Sequence, residues 1–439
     1  MGHTTLQIGL DDTDSVRGMC TTFLAYAMVG MLRDQGARFL DYPRLVRLNP
    51  NIPWKTRGNG AVALKVRTDD APRLKEMALD MMESHADTAN GANPGLVFLE
   101  GDDMPGEMSR FGSLALWRLI RRQDARRLVR RCGLESHHLG NGQGLVGAIA
   151  ALGYRFGDNT MEMLSYRRGD RFGTRRDISA PSVRRMQEEV PSTFGSYDVR
   201  RDRVLITPGG PDPVFYGIRG EDPKSLLRAS EMIKAGEPLA GYLLFRSNQG
   251  TGDHLQNRLD ARDLRPYDSG VISGTVAAKP VTGRGGNVFL DVVSGGRNVC
   301  CAVYRETGIA TTAGELIAGD GIQVGGGIRR AAPGRPRTLN VEFIRVLRLE
   351  RGTVWTNPAC PQCKKRMKSR GQNQGYRCQI CKMQSPARVS RPVPRDIRRD
   401  LYIPAVGAHR HLTRPRQRLG RINNAAFDDE LPWFVVYRK

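Results

Sequence analysis

Short runs of apolar residues open the chain, and their period changes along it. Leu6 to Leu10 reads as a buried strand, and from Cys20 onward Phe23, Leu24, Ala27, Met28, Met31 and Leu32 recur at helical spacing. Arg44 to Asn49 predicts a strand, Ala61 to Val66 an alternating one, Pro72 to Ser84 a helix and Val97 to Leu99 a further strand. Residues 106–139 read as helical and strongly basic. A glycine-rich break, Gly140-Asn141-Gly142-Gln143-Gly144, precedes a helix over Leu145 to Leu152, and Met161 to Tyr166 reads as a strand. A second α/β unit follows, with strands at Val204–Thr207, Val214–Arg219 and Gly241–Arg246 around a helix from Pro223 to about Ala235. Its order suits a ferredoxin-like half. From Val271 the period becomes that of strands: Val271–Ala277, Val288–Val293, Val299–Arg305, Gly321–Arg329 and Leu339–Leu347. Five strands with glycine-rich turns fit an OB-type β-barrel, in which Phe289 and Phe343 alternate as core residues and Tyr304 is the aromatic left to touch a ligand. Pro386 to Arg421 is rich in Pro and Arg and shows no period, so it is expected to be extended or partly disordered when free.

Composition sharpens this α/β (α+β) multidomain picture. At 439 residues the chain has room for two to four domains, and a formal net charge of +23 calls for a polyanionic partner, nucleic acid first. No apolar run approaches a membrane span and no secretory leader is evident, which predicts a soluble, cytoplasmic protein with no membrane partner. Arg118, Arg121, Arg122, Arg126, Arg127, Arg130 and Arg131 read either as a solvated helix face or as contacts to an RNA backbone. Four of the 8 Cys form Cys360-x-x-Cys363, 14 residues, Cys378-x-x-Cys381. Two such thiolate pairs close a tetrahedral site for structural Zn²⁺ with no open position for a catalytic water. Lys364, Lys365, Arg366, Lys368 and Arg370 make that ribbon cationic and mark it for RNA.

The chemistry concentrates in Asp11-Asp12-Thr13-Asp14 and in Gly18-Met19-Cys20-Thr21-Thr22. Three acids between a strand and a helix repel one another unless a cation such as a nucleotide's Mg²⁺ intervenes. Gly18 allows close approach, and Thr21 and Thr22 bring hydroxyls to a helix N-terminus suited to phosphate. The same residues also read as a capped acidic turn, or as a D-x-D-x-[TV] phosphatase loop with Asp12 as nucleophile. Between Pro50 and Gly60, Lys55 and Arg57 supply charge for phosphates. Gly142-x-Gly144-x-x-Gly147 loosely matches a dinucleotide fingerprint without its preceding strand, yet Gly142 and Gly144 could line a phosphate. Arg171 sits in a basic loop, and Ser247 to His254 reads as a binding loop.

The string Gly9-Leu10-Asp11-Asp12-Thr13-Asp14-Ser15, with Gly18-Met19-Cys20-Thr21-Thr22, closely resembles the opening of the archaeal tRNA(Ile) agmatidine (2-agmatinylcytidine) synthetases. Residues 47–60, 144–153 and 216–220 resemble further blocks of that family, in the same order. The resemblance implies a kinase-like ATP-binding catalytic module (1–139), a ferredoxin-like module (140–265), an OB-fold RNA-binding barrel (268–350), a zinc ribbon (353–390) and a basic C-terminal tail (391–439). It implies an ATP-dependent ligase, acting as a monomer, that attaches agmatine to C2 of the wobble cytidine in the CAU anticodon of tRNA(Ile). In that reading Asp11, Asp12 and Asp14 serve catalysis with Mg²⁺, and Thr21 is the residue phosphorylated. Gly18, Thr22, Lys55, Arg57, Gly142 and Gly144 face ATP, Asp212 and Asp253 are candidates for agmatine's guanidinium, and Arg410 joins Arg171 and the ribbon on RNA. A Mg-dependent phosphatase or nuclease acting on RNA, and a non-enzymatic tRNA-binding protein, are the alternatives.

Overall fold

A computed structural model describes residues 3–437. Its main body is organised on one ten-stranded sheet, whose main path runs 214–220, 160–167, 239–247, 44–47, 60–68, 4–11, 95–100 and 135–138. Neighbours along it are antiparallel except where Arg246 and Ser247 meet Arg44 and Leu45 in parallel. That short parallel joint fuses the two α/β units into one sheet.

Alternation decides which helices cover which face. Leu6, Ile8 and Leu10 of strand Thr4–Asp11 point into a core shared with helices Thr21–Asp34 and Ala71–His85, and this core continues under the second unit through Val183, Met186, Leu226 and Ala229. Ala61, Ala63 and Val97 face the other way, against helix Gly144–Gly153 and the pair Gly106–Ala115 and Arg122–Cys132. The expected break near residue 140 therefore does not divide the packing: the helix that follows it lies over the first unit. It can come so close because Gly9 has no side chain, and a Cβ there would collide with the Ala148 carbonyl oxygen. The basic stretch 106–139 is two helices and a strand (Glu135–His138) rather than one helical run, and the sequence reading missed helix Ala180–Glu189, which Ser179 caps.

The five strands 269–276, 288–294, 297–303, 321–329 and 338–348 close into a barrel, the third and fifth pairing in parallel. Phe289 reverses expectation: it stands outside, 47% exposed, because strand Val288–Ser294 turns Val288, Leu290 and Val292 inward. Tyr304 is half-buried and gives its hydroxyl to Asn340. The barrel docks on the main body through Asn51 Nδ2 to Ser269 Oγ (2.7 Å), Asn49 Nδ2 to the Tyr267 carbonyl (2.8 Å) and the Arg118–Asp268 ion pair. Beyond it, strands 353–356 and 389–392 form a stalk carrying the ribbon.

The largest departure is at the C-terminus. Residues 404–437 run back across the body instead of trailing from the ribbon. Arg418 is buried against Asp158 (2.9 Å) and Glu221 (2.8 Å), and Arg414 meets Asp158 at 2.7 Å. Trp433 is 1% exposed among Phe39, Tyr42, Phe427 and Phe434, and strand Phe434–Val436 pairs with Gly241–Leu243. No helix among the described residues is long and apolar enough to cross a membrane.

Candidate active site

A cavity of about 400 Å³ opens where the two α/β units, the 54–60 loop and the returning C-terminal strap meet. Strand Thr4–Asp11 delivers the acids to it. Asp11 ends the strand, and Asp12 follows in left-handed backbone (φ 58°), a strained conformation for a residue other than Gly. Helices Thr21–Asp34 and Gly144–Gly153 both begin at the cavity wall, represented there by Thr21 and Thr22 and by Gln143, Val146 and Gly147. Among the described residues the N–H groups of Thr21 and Thr22 have no acceptor and suit that end of the cavity to anions, whereas those of Gly144, Leu145 and Val146 are already taken by the Asn93, Gly142 and Gln143 carbonyls.

The three carboxylates differ in their partners. Asp14 receives Thr56 Oγ1 at 3.2 Å and Arg57 Nη1 at 3.0 Å, and Arg57 also donates to the carbonyls of Met19 (2.6 Å) and Ser15 (3.1 Å). Asp14 and Arg57 thus clamp the 14–19 turn. Burial raises the Asp14 carboxyl, with Arg57 opposing. Asp11 is raised well above the usual carboxylate range by burial and then by Asp12 beside it. Burial and the charge of Asp14 push Asp12 up to about 7, against a backbone hydrogen bond from Asn93. Among the described residues, no cation of the chain pairs with Asp11 or Asp12. The arrangement stores negative charge that an incoming cation would relieve.

Thr21 lies inside, its Oγ1 accepting from Thr13 Oγ1 at 3.2 Å, and Thr22 Oγ1 is 3.1 Å from Cys20 Sγ. Both threonines line the cavity; Gly18 lies in the adjoining turn, where its carbonyl accepts from Arg57. Lys55 lines the cavity too, with Nζ on the Arg57 carbonyl (2.8 Å) and its ammonium disfavoured by burial and by Arg410. Gly142 and Gly144 are not in the wall. Gly142 packs on His138, and Gly144 packs so tightly on Gly95 that a Cβ would strike the Gly95 nitrogen. The third glycine of the pattern, Gly147, is the one at the cavity, where a Cβ would strike the Asp11 carboxylate.

Asp212 lines the cavity, held by Arg176 (3.3 Å) and Arg57 (3.6 Å), and its Oδ2 is buried without a hydrogen bond. Asp253 is elsewhere, hydrogen-bonded by the Tyr154 hydroxyl. The loop it belongs to turns inward as a structural splice. The sequence reading also overlooked a buried group across the cavity. Glu162 meets Arg47 (3.2 Å) and Arg219 (3.6 Å), takes a hydrogen bond from Gln249, and Gln249 in turn meets His411 Nδ1 at 2.8 Å. Burial and the surrounding Arg47, Arg219 and Lys55 hold His411 neutral, well below its ordinary range. An acid and two arginines on three strands of one sheet were the available signal, hidden because each reads alone as an alternating strand position.

Of the residues assigned to RNA, Arg171 and the ribbon's Lys364, Lys365, Arg366, Lys368 and Arg370 are on the surface. Arg410 is engaged internally, donating to Asn51 Oδ1 (2.7 Å) and pairing with Glu342 (3.2 Å). Cys360, Cys363, Cys378 and Cys381 bring their sulfurs within 4.8 Å of one another, the geometry of a four-thiolate Zn²⁺ site. Among the described residues the three aspartates do not converge in this way, so they form no closed cage for an ion.

Family comparisons agree with this layout. Family models described as the TiaS TCKD domain, the TiaS FLD domain and the TiaS C-terminal zinc ribbon domain match residues 7–71, 142–254 and 357–397. The tRNA 2-agmatinylcytidine synthetase TiaS of Cenarchaeum symbiosum (strain A) is 49% identical over 437 residues, covering 100% of this chain and 98% of the relative. That of Thermofilum pendens (strain DSM 2475 / Hrk 5) is 37% identical, covering 96% of each. Among solved structures, a complex of TiaS with its isoleucine tRNA and ATP superposes with a TM-score of 0.86 at 32% identity, covering 97% of this chain and 100% of that one. A complex of TiaS with the same tRNA, AMPCPP and agmatine does so with a TM-score of 0.84 at 30% identity and the same coverage. This chain belongs to the TiaS family of tRNA(Ile) 2-agmatinylcytidine synthetases.

Proposed function

We propose that the cavity carries out the family's reaction, the ATP-dependent attachment of agmatine to C2 of the wobble cytidine in the CAU anticodon of tRNA(Ile), with Asp11, Asp12 and Thr21 at its centre. The observation that carries the residue assignment is the pair of carboxylates without a cationic partner among the described residues that share one cavity with the open N-terminus of helix Thr21–Asp34. Acids there repel RNA, so a protein that only bound tRNA would have no use for them. A phosphatase or nuclease would use the same acids, but the family membership favours ligation.

The C2 oxygen of cytosine is a poor leaving group. Phosphorylation converts it into one, after which agmatine's primary amine displaces phosphate at C2. The residues present suit nucleotide-borne Mg²⁺: Asp11 and Asp12 would hold it alongside phosphate oxygens, since Mg²⁺ commonly takes one or two carboxylates and completes its shell with phosphates and water. The ion would supply neutralisation of phosphate charge. The helix start at Thr21 offers N–H groups to the same phosphates, and Thr21 Oγ1 is the acceptor for the phosphorylation that the family resemblance implies. Thr22, Gly147 and Lys55 complete the nucleotide wall, while Asp14 and Arg57 keep the turn in place. Asp212, with one oxygen free of hydrogen bonds, remains the candidate for a guanidinium; Asp253 is withdrawn from that role.

On this reading residues 1–139 form a kinase-like module, and 140–265 a ferredoxin-like module that supplies the facing wall. Residues 268–350 form an OB-type barrel, whose strand order and parallel third–fifth pairing fit that assignment. The ribbon at 353–390 joins it on tRNA. In this reading the protein works as a monomer in the cytoplasm. The test is to incubate the protein with tRNA(Ile) transcript bearing the CAU anticodon, Mg-ATP and labelled agmatine. Label is expected in the RNA with wild type and is expected to fall by at least a hundredfold with Asp12→Asn, whose tRNA affinity stays intact. Near wild-type turnover in Asp12→Asn would overturn the assignment.

A further inference from the structure

Besides the acids described above, the cavity lining includes apolar residues, among them Leu48, Ile52, Trp54, Ala115 and Ile120. Trp54 stands out among them. It is 52% exposed although it borders a cavity, and among the described residues no Phe, Tyr or other Trp lines the same space. The indole therefore presents an open aromatic face to whatever enters the cavity. Its one aromatic neighbour, Tyr267, meets it at a 6.4 Å centroid distance and 66°, so no stacked partner occupies the indole.

The segment carrying Trp54 is pinned rather than loose. Asn49 and Asn51 tie it to Tyr267 and Ser269 at the start of the barrel, and Arg410 of the returning strap donates to Asn51. The chain leading into Trp54 is therefore anchored on the barrel and the strap.

Resting on the reading of this site as an agmatidine-forming one, we propose that Trp54 is the stacking platform that receives the wobble cytosine when it leaves the anticodon stack. A base turned out of its stack loses stacking energy that an enzyme must return, and an aromatic face does so without regard to hydrogen-bond pattern. Cytosine is the occupant the position favours. Phosphates belong with the helix N-terminus at Thr21 and the carboxylates beside it, and a guanidinium seeks a carboxylate such as Asp212, which shares Arg57 with Asp14. The base alone arrives from outside, attached to a polymer that stays there, and so meets the half-exposed lip first.

A binding cycle decides the matter. Affinities of wild type, Trp54→Phe, Trp54→Leu and Trp54→Ala are measured for the CAU-anticodon tRNA(Ile) with cytidine at the wobble position and with an abasic wobble nucleotide. Agmatine and a non-hydrolysable ATP analogue are present, and agmatidine formation by wild type is assayed in parallel. Trp54→Ala and Trp54→Leu are expected to weaken binding of the intact tRNA roughly tenfold. They should leave the abasic tRNA unaffected, and Trp54→Phe should restore most of the loss. Equal losses for both tRNAs, or recovery in Trp54→Leu as complete as in Trp54→Phe, would overturn the proposal and reduce Trp54 to a packing residue. Quenching of Trp54 fluorescence by the ATP analogue or agmatine alone, assigned by its absence in Trp54→Phe, would overturn it in favour of those ligands. If wild type forms no agmatidine, the functional reading fails; if it does and the cycle shows no coupling, only the role of Trp54 fails.

Discussion

Two stretches of this chain have nearly the same composition and opposite fates. The ribbon loop between Lys364 and Arg377 and the strap between Arg410 and Arg421 are both short of apolar residues and dense in Arg or Lys. In the ribbon every one of those cations is exposed, because the core beneath is only Cys360, Met367 and Cys378 with a few flanking groups. Nothing there could offset the burial of a charge. In the strap Arg410, Arg414 and Arg418 each meet carboxylates of the body or barrel, Arg418 in full burial. Charge density thus does not distinguish a polyanion-binding surface from a structural clasp; the location of the complementary acids does. It also follows that the strap, which places His411 in the cavity wall, packs as part of the main body although it follows the barrel and the ribbon in sequence.

The sharpest way to break this comparison is deletion. Removing residues from 404 onward takes away Trp433, the Arg418 clasp and the strand paired to Gly241–Leu243, and is expected to abolish cooperative unfolding of the body. Removing 357–391 instead should leave a cooperative transition and cost mainly tRNA affinity. Thermal unfolding of the two proteins measures this, and a folded body lacking the strap would mean the clasp is dispensable.

Single residues sharpen the point. Arg418→Met leaves Glu221 without its cation and Asp158 with Arg414 alone, and is expected to cost about 2–3 kcal/mol in urea denaturation. Cys378→Ser should unfold the ribbon alone, since three ligands do not hold a closed zinc site, leaving the midpoint of the body unmoved while zinc is released.

The acidic end offers a contrast in carboxylates, since Asp158 has two arginines and Asp12 has none. The raised carboxyl of Asp12 keeps its proton in the folded protein up to about pH 7, whereas the unfolded chain releases it near the ordinary value of 3.8. Between those pH values the folded state binds more protons, so this group makes stability fall as pH rises. Asp12→Asn removes that titration. The ligand-free variant is expected to gain stability over wild type progressively from about pH 4 to 7, reaching on the order of 4 kcal/mol and then holding level. Equal pH–stability curves would show that Asp12 is already compensated. The smallest expected effect is in the ribbon: Lys365→Ala should change stability by less than about 0.5 kcal/mol and, if Lys365 contacts a phosphate, reduce the log–log salt slope of tRNA binding by about one unit.

What the sequence determined by itself was local. The four cysteines needed only their spacing, the barrel strands their period of two, and Asp11, Asp12, Thr21 and Thr22 their adjacency within a dozen residues, since each of these features is complete within one stretch of chain. Tertiary structure decided everything that required distant stretches to meet. It united two α/β units through a two-residue parallel joint, turned Phe289 outward, moved the glycine at the cavity from Gly144 to Gly147 and drew Asp253 away to Tyr154. It also gathered Arg47, Glu162, Arg219, Gln249 and His411, from nearly opposite ends of the chain, onto one wall. A buried ion pair leaves no trace in periodicity, because its two halves look like ordinary surface charges until the fold removes the water between them.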